Sequence, residues 1–252
     1  MNPSFWPQLQ QPARISWKTA IGIILPTLIW LGGIQSRSVF IRPPCAVPTE
    51  AQIHCAIASV NSLDRTGMGV NRGDADLWSN RGQISAMIIT LSVPIVFNLA
   101  QRMSPALAVV AIGEDLAVLL QTVAWNGVFT EVVRLAAARP RPFVYADPAA
   151  QGQDPAHYVS FYSGHTSFVA ACLFGLLFVL FARSAGPGWI LTVGLSMQCV
   201  LMVTAFGRVL SDRHFITDTL AATVAGALVA FGVAWICRRT ANDRRHLDGK
   251  PL

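Results

Sequence analysis

Residues 208–218 read Arg-Val-Leu-Ser-Asp-Arg-His-Phe-Ile-Thr-Asp and separate two apolar runs, 189–206 and 217–237. Each run has roughly the 20 residues that a helix needs to cross a bilayer, so the polar stretch between them is expected at a membrane surface. If a helix begins near His214, then His214 and Asp218 lie one turn apart on the same helix face. The carboxylate could then accept the Nδ1 proton of the imidazole and leave Nε2 free as a nucleophile.

The composition extends this interpretation to the whole chain. Its 252 residues are 53% hydrophobic and 13% charged, whereas soluble domains carry about 25% charged residues. Four more apolar runs cover residues 15–34, 84–100, 105–138 and 166–182. The sequence therefore predicts an all-α polytopic membrane helical bundle with about six transmembrane helices. A retained first helix is favoured over a secretory signal peptide, because no Ala-x-Ala-like cleavage site follows the first run.

The runs and the segments between them divide the chain into four parts. These are an N-terminal tail (1–14), a first transmembrane helix with a polar outer loop (15–83), a helical core (84–237) and a basic C-terminal tail (238–252). Cys45 and Cys55, ten residues apart in the polar loop, could form a disulfide if that loop faces an oxidising compartment. The alternative is two unpaired thiols. No cysteine or histidine spacing suggests a zinc site.

The net charge of +6 raises the question of nucleic-acid binding. Basic residues are spread over helix ends and loops, and they form no stripe interleaved with aromatic residues, so nucleic acid is excluded as a partner. Anionic lipid headgroups account for some of these charges. Glu131, three residues before Arg134 in a predicted membrane helix, is expected to form an ion pair with that arginine.

Two further polar clusters lie at the ends of predicted membrane helices. The first holds Arg134 and Arg141 around the end of the third run, which Pro140 and Pro142 must terminate. The second, Ser163-Gly164-His165, opens the fourth run. Arginine is a permanent planar cation suited to phosphate oxygens, and backbone N–H groups at a helix start bind anions. Arg208 adds a third such cation from the end of the fifth run.

Taken in order, the three clusters resemble the three-part signature of the type 2 phosphatidic acid phosphatase (PAP2) superfamily, in its bacterial integral membrane form. They read Arg134-x6-Arg141-Pro142, Tyr162-Ser163-Gly164-His165 and Gly207-Arg208-x5-His214-x3-Asp218. The resemblance covers roughly residues 84–237. It departs from the usual pattern at three positions: Arg134 stands where lysine is usual, Tyr162 where proline is usual, and Gly207 where serine is usual.

The resemblance implies a metal-independent phosphatase that needs no cofactor. His214 would attack phosphorus and form a phosphohistidine, and Asp218 would orient it. His165 would protonate the leaving group and then activate water. The phosphate would be bound by the side chains of Arg134, Arg141 and Arg208 and by backbone N–H groups near Ser163 and Gly164.

The implied substrate is a phospholipid or polyprenyl phosphate, with phosphatidic acid, phosphatidylglycerol phosphate and undecaprenyl pyrophosphate as candidates. A lipid-linked phosphotransferase using the same histidines is the main alternative, and a non-catalytic lipid-phosphate binding or transport protein is a weaker one. The superfamily also contains soluble vanadium haloperoxidases, which the apolar runs disfavour. We expect a multi-pass protein of the inner (plasma) membrane with an inside N-terminus, which places the site on the periplasmic or extracellular face. The identity of the lipid, a preference for mono- or diphosphates and the oligomeric state stay open.

Overall fold

The computed structural model describes residues 17–47, 55–101 and 103–247. The predicted N-terminal tail (1–14) and the last residues of the predicted basic C-terminal tail (248–252) lie outside these ranges. Within them the chain folds into helices joined by loops, and no β-strand occurs.

Six long helices form the body of the molecule, which confirms the predicted all-α polytopic bundle. In chain order they are α1 (Trp17–Gln35), α2 (Ala75–Ala100), α3 (Pro105–Ala137), α4 (Gly164–Ala182), α5 (Pro187–Leu210) and α6 (Ile216–Leu247). Each contains a stretch long and apolar enough to cross a membrane. Seven shorter segments of α- or 3-10 helix occur in the described residues, and they are Arg37–Phe40, Pro44–Ala46, Ile57–Ser59, Ser62–Arg65, Pro142–Ala146, Pro148–Gln151 and Pro155–Tyr158.

The third helix ends where its prolines predicted. It begins with Pro105 after the N-cap Ser104, whose Oγ accepts from Leu107 N. It ends at Ala137, and Ala138 closes it in the left-handed conformation with φ 41°. Pro140 lies just beyond, where a further helical turn would lack a donor and clash.

Two helices extend beyond the apolar runs that predicted them. Helix α2 begins at Ala75, nine residues before the apolar run that starts at residue 84. Its first turns carry polar residues, including Asp76 and Ser79, which contact Arg208 of α5. A hydropathy pattern does not predict these turns as helical, because polar tertiary contacts, and not the burial of apolar side chains, stabilise them. Helix α6 likewise continues past Cys237 into the predicted basic tail.

Helix α4 is the centre of the bundle and packs against α2, α3, α5 and α6, whereas α1 packs on α3. Leu173, Leu176 and Leu180 of α4 are buried in the main apolar core. Gly226 brings α6 close to α4, since a Cβ at this position would lie 2.5 Å from the Ser167 carbonyl oxygen. Small residues permit such close helix contacts in membrane proteins. The starts of the two helices are joined by the Ser163 N–H, which donates to the Asp218 carbonyl at 3.3 Å.

The polar loop after α1 contains the disulfide that the sequence suggested. Cys45 and Cys55 are bonded, with their Cα atoms 5.8 Å apart. Both are buried in an apolar cluster with Ile41, Tyr158 and Val159. The loop is thereby fixed against the segment that leads into α4.

Candidate active site

The three polar clusters meet at one end of the bundle, where α3 and α5 end and α4 and α6 begin. Arg134 lies in the last turn of α3 and Arg208 in the last turn of α5. His165 lies in the first turn of α4, and His214 precedes the start of α6 at Ile216. The alternating direction of the helices brings clusters that are distant in sequence to the same end.

His214 is buried, with 1% of its surface exposed. Its Nδ1 lies 2.7 Å from the carbonyl oxygen of Ser160. Asp218 Oδ2 is 3.7 Å from Nδ1, which is beyond hydrogen-bond distance, so the predicted direct bond from His214 to Asp218 is wrong. Because a carbonyl oxygen can only accept, Nδ1 carries the proton and Nε2 carries the lone pair.

The surroundings of His214 keep its imidazole neutral. Its pKa lies well below the ordinary value of 6.5, first because burial disfavours the cation and then because the charges of Arg208, Arg141 and Arg134 repel it. His214 Nε2 is buried and has no hydrogen-bond partner within the described residues. A neutral imidazole with a free lone pair among three cations is suited to attack an anionic electrophile.

Asp218 acts on His214 through Ser160. Its Oδ2 accepts from Ser160 Oγ at 2.6 Å and from Phe215 N at 2.9 Å, the second bond resembling the reciprocal cap of a helix start. Its Oδ1 accepts from Arg139 Nη1 at 2.6 Å. Ser160 therefore joins the two predicted residues, since its hydroxyl binds Asp218 and its carbonyl binds His214.

Asp64, in the Ser62–Arg65 turn, is a second buried carboxylate that sequence reasoning missed. It accepts from Arg139 Nη2 at 2.8 Å, from Thr217 N at 2.9 Å and from Thr217 Oγ1 at 2.7 Å. Burial alone would raise the pKa of Asp64, but the hydrogen bonds from Arg139, Thr217 and Asn61 outweigh it and lower that pKa. Arg139 thus bridges two carboxylates at the start of α6.

Arg134 is held by the backbone before α4 and by Glu131 of its own helix. Its Nε donates to the Tyr162 carbonyl at 3.1 Å, and its Nη1 lies 3.7 Å from Glu131, which confirms the predicted ion pair. Glu131 also accepts from Arg37 Nη2 at 2.7 Å. At Gly164 a Cβ would lie 2.6 Å from Arg134 Nη2, so the glycine lets the guanidinium rest against the first turn of α4.

Arg208 and Arg141 carry donors that the described protein does not use. Arg208 Nη1 binds Asp76 of α2, and Arg213 Nη2 lies 3.5 Å from the same carboxylate. The buried Nε groups of Arg208 and Arg141 have no hydrogen-bond partner within the described residues. Buried donors are rarely left unpaired in a fold, so these two N–H groups point to an anionic ligand.

The start of α4 differs in detail from the prediction. Ser163 is fully buried, and its Oγ caps the helix by accepting from Thr166 N and Thr166 Oγ1. Its N–H donates to the Asp218 carbonyl at 3.3 Å, so this predicted phosphate donor is engaged within the fold. The N–H of Gly164 stays a predicted phosphate donor at the helix start. His165 Nε2 lies 2.8 Å from Asn80 Oδ1 of α2.

An apolar groove of about 490 Å³ runs between α3 and α6 and reaches the site. Trp125 and Phe129 line it from α3, and Leu228 and Gly232 line it from α6. Tyr162, which precedes the α4 cluster, also lines it. Tyr162 therefore lines the groove and also accepts a hydrogen bond from Arg134 through its backbone carbonyl.

No group of three or more histidine, cysteine, aspartate or glutamate side chains within the described ranges is arranged to hold a metal ion. In a comparison with protein families, the family model described as PAP2 superfamily matches residues 115–242. This range is about half of the chain and contains all three clusters. No solved structure matches the chain.

Proposed function

Because this chain belongs to the PAP2 superfamily, we propose that it is an integral membrane phosphatase that hydrolyses phosphate esters of membrane lipids through a phosphohistidine. The observation that carries the proposal is the buried Nε2 of His214, which bears a lone pair. The positive charges of three arginines repel the cationic form of this imidazole and lower its pKa. A phosphate ester is an anion, and these charges offset the repulsion that it would otherwise meet.

The first step transfers the phosphoryl group to the protein. Arg134, Arg141 and Arg208 bind the phosphate oxygens, and the unpaired Nε groups of Arg141 and Arg208 supply two of the donors. His214 Nε2 forms a bond to phosphorus while the bond from phosphorus to the lipid oxygen breaks. His165 gives its proton to that oxygen, so the lipid leaves as a neutral alcohol, or as a protonated phosphate where the substrate is a diphosphate.

The second step returns the protein to its starting state. Water attacks phosphorus, and the proton of that water passes to His165 as the bond to His214 Nε2 breaks. His214 carries a positive charge while it is phosphorylated. The Ser160 carbonyl, 2.7 Å from Nδ1, stabilises this cation directly, and Asp218 does so through Ser160 and by its own charge at 3.7 Å.

A lipid substrate is proposed because of the groove between α3 and α6. A headgroup among the arginines would place its hydrocarbon chain beside Tyr162, which lines this apolar groove. Phosphatidic acid, phosphatidylglycerol phosphate and undecaprenyl pyrophosphate all combine an anionic phosphate with long apolar chains. A phosphotransferase would use the same first step and pass the phosphoryl group to an alcohol in place of water.

The proposed location is the plasma membrane with the site on its periplasmic or extracellular face. The Cys45–Cys55 disulfide, at the same end of the molecule as the site, supports this orientation because disulfides persist in oxidising compartments. A cysteine introduced at Asp154, which is largely exposed in the loop before α4, should react with an impermeant maleimide in intact cells. The test uses a background that lacks Cys172, Cys199 and Cys237. Protection of this cysteine until the cells are opened would reverse the proposed orientation.

The test of function is phosphate release by purified protein in detergent with excess EDTA. The panel contains phosphatidic acid, phosphatidylglycerol phosphate and undecaprenyl pyrophosphate. We expect release from at least one lipid, its loss in His214→Ala, and its retention in His157→Ala, which removes a histidine of the neighbouring loop. Release that requires a metal, or that survives His214→Ala, would refute the proposed chemistry. Transfer to an added alcohol without hydrolysis would favour the phosphotransferase.

A further inference from the structure

The first turns of α2 form a wall of the site that belongs to none of the three clusters. Asp76 and Ser79 contact Arg208, and Asn80 contacts His165. These residues share one helix face, since they are spaced three and four positions apart. Helix α2 therefore touches both a phosphate-binding residue and the proposed acid and base.

Close packing of α2 on α5 holds this wall in place. A Cβ at Gly82 of α2 would lie 2.3 Å from Thr204 Oγ1 of α5. A Cβ at Gly207 of α5 would lie 2.7 Å from the Ala75 carbonyl oxygen of α2. Glycines on both helices permit the contact, and Asn80 lies between these two positions along the interface.

The contact between Asn80 and His165 has a defined chemical consequence. Asn80 Oδ1 lies 2.8 Å from His165 Nε2, and an amide oxygen can only accept a hydrogen bond. The proton on this side of the ring is therefore on Nε2. The arginines whose charges repel a cationic His165 are Arg208, Arg134 and Arg141. Asn80 Oδ1 is a hydrogen-bond acceptor at 2.8 Å from Nε2, and an acceptor at that distance favours a proton on that nitrogen.

We propose that Asn80 is a positioning residue that holds the Nε2 proton of His165, so that Nδ1 exchanges protons with the leaving group and with water. This inference rests on the proposed phosphatase function. In the first step the Nδ1 proton passes to the lipid oxygen as the bond between that oxygen and phosphorus breaks. In the second step a water proton passes to Nδ1 as the water oxygen bonds to phosphorus. The other proton stays on Nε2 throughout, hydrogen-bonded to Asn80 Oδ1, so the ring keeps one orientation in both steps.

Leaving-group dependence separates this role from a structural one. A lipid alkoxide needs protonation to leave, whereas p-nitrophenolate leaves without it. In Asn80→Ala we expect the first turnover of the lipid substrate to fall by roughly 10- to 100-fold, less than the roughly 100- to 10,000-fold that general acid catalysis supplies, because His165 itself is retained. The initial burst of p-nitrophenolate from p-nitrophenyl phosphate should stay within about threefold of wild type, because that step does not need His165 as an acid. The steady-state rate with this substrate should still fall, because dephosphorylation needs His165 as a base.

The controls keep the proposal falsifiable. Gln83→Ala removes an amide one turn further along α2 and should leave both substrates unchanged. Aspartate has nearly the same shape as asparagine, so Asn80→Asp provides a second test if the alanine variant does not fold. Its carboxylate holds His165 as a cation, which is a competent acid but a poor base, and phosphorylated protein should accumulate with the lipid substrate.

In Asn80→Ala, an equal loss in the first turnover of the lipid and in the initial burst of p-nitrophenolate would overturn the proposal, as would wild-type values of both. Rapid dephosphorylation in Asn80→Asp would also overturn it. Failure of the proposed function itself gives a different result, since the wild-type protein would then release no phosphate in the EDTA assay.

Discussion

Replacing Gly207 with alanine tests the contact between α2 and α5 on which the site geometry depends. Gly207 lies in the last turn of α5, next to Arg208, and is buried. An added Cβ would lie 2.7 Å from the Ala75 carbonyl oxygen, 3.0 Å from Ser79 Cβ and 3.2 Å from Ser79 N. Two of these three atoms belong to the backbone, so α2 as a whole must move to make room.

The expected cost follows from two opposing effects. Overpacking of a well-packed interior costs about 1–3 kcal/mol, and contact with backbone places Gly207→Ala near the upper end. Alanine offsets this by about 1 kcal/mol because it is the better helix former. The net loss is about 2 kcal/mol, which lowers the midpoint of thermal unfolding by about 4–8 °C in a protein of this size. Displacing Asp76 and Asn80 should lower turnover by about tenfold, since a misplacement of about 1 Å can cost roughly 100-fold and the shift needed here is smaller.

A matched substitution lies on the same helix. At Gly194 of α5 the nearest atom to an added Cβ is Leu177 Cδ2 at 3.6 Å, an ordinary contact. Gly194→Ala should therefore keep full activity and unfold at the wild-type temperature or slightly above it. Unfolding of both variants is followed in detergent by circular dichroism, and phosphate release is measured in parallel. A Gly207→Ala protein with wild-type stability and turnover would refute the close packing of α2 on α5.

Two other substitutions test the groove and the buried carboxylate. Gly232 lines the groove and has open space for a side chain, so Gly232→Phe should raise KM for long-chain lipid phosphates several-fold and leave a short-chain water-soluble substrate unaffected. Gly32→Phe, also in open space but on α1, is the control. Equal effects of the two variants on KM would refute binding of the lipid chain in the groove. Asp64→Asn should destabilise the protein by about 2–3 kcal/mol, less than the full loss of a buried ion pair because Arg139 keeps Asp218. The folded pKa of Asp64 lies below its ordinary value of 3.8, so its contribution is complete above that value and is lost as the pH falls through the folded pKa. Acid unfolding of wild type and Asp64→Asn should therefore converge at low pH, and a constant difference down to the lowest pH would contradict this sign.

Much of the architecture could be predicted from the sequence. Apolar runs near the length of a bilayer crossing marked six helices, and Pro140 and Pro142 marked the end of α3. The loop cysteines suggested the disulfide that the structure contains. The order of the three clusters identified the family, and the alternation of helix direction already placed those clusters at one end.

The finer geometry of the site was not predictable in the same way. His214 Nδ1–H donates a hydrogen bond to the Ser160 carbonyl. Every residue has a backbone carbonyl, so the sequence does not indicate which one accepts this bond. Asp64 and Asn80 lie in polar segments without a motif, and only tertiary packing brings them to Arg139 and His165. Gly207 was visible as a departure from the signature, and the structure supplies its reason, since a side chain at this position would collide with α2.

The most direct test of the account is to trap the phosphorylated protein. The protein is mixed with a lipid phosphate radiolabelled in its phosphoryl group, quenched in alkaline detergent to preserve phosphohistidine, digested and mapped by mass spectrometry. The account predicts label on the peptide that contains His214, and none in His214→Ala. Label on another residue, or full turnover by His214→Ala, would contradict it.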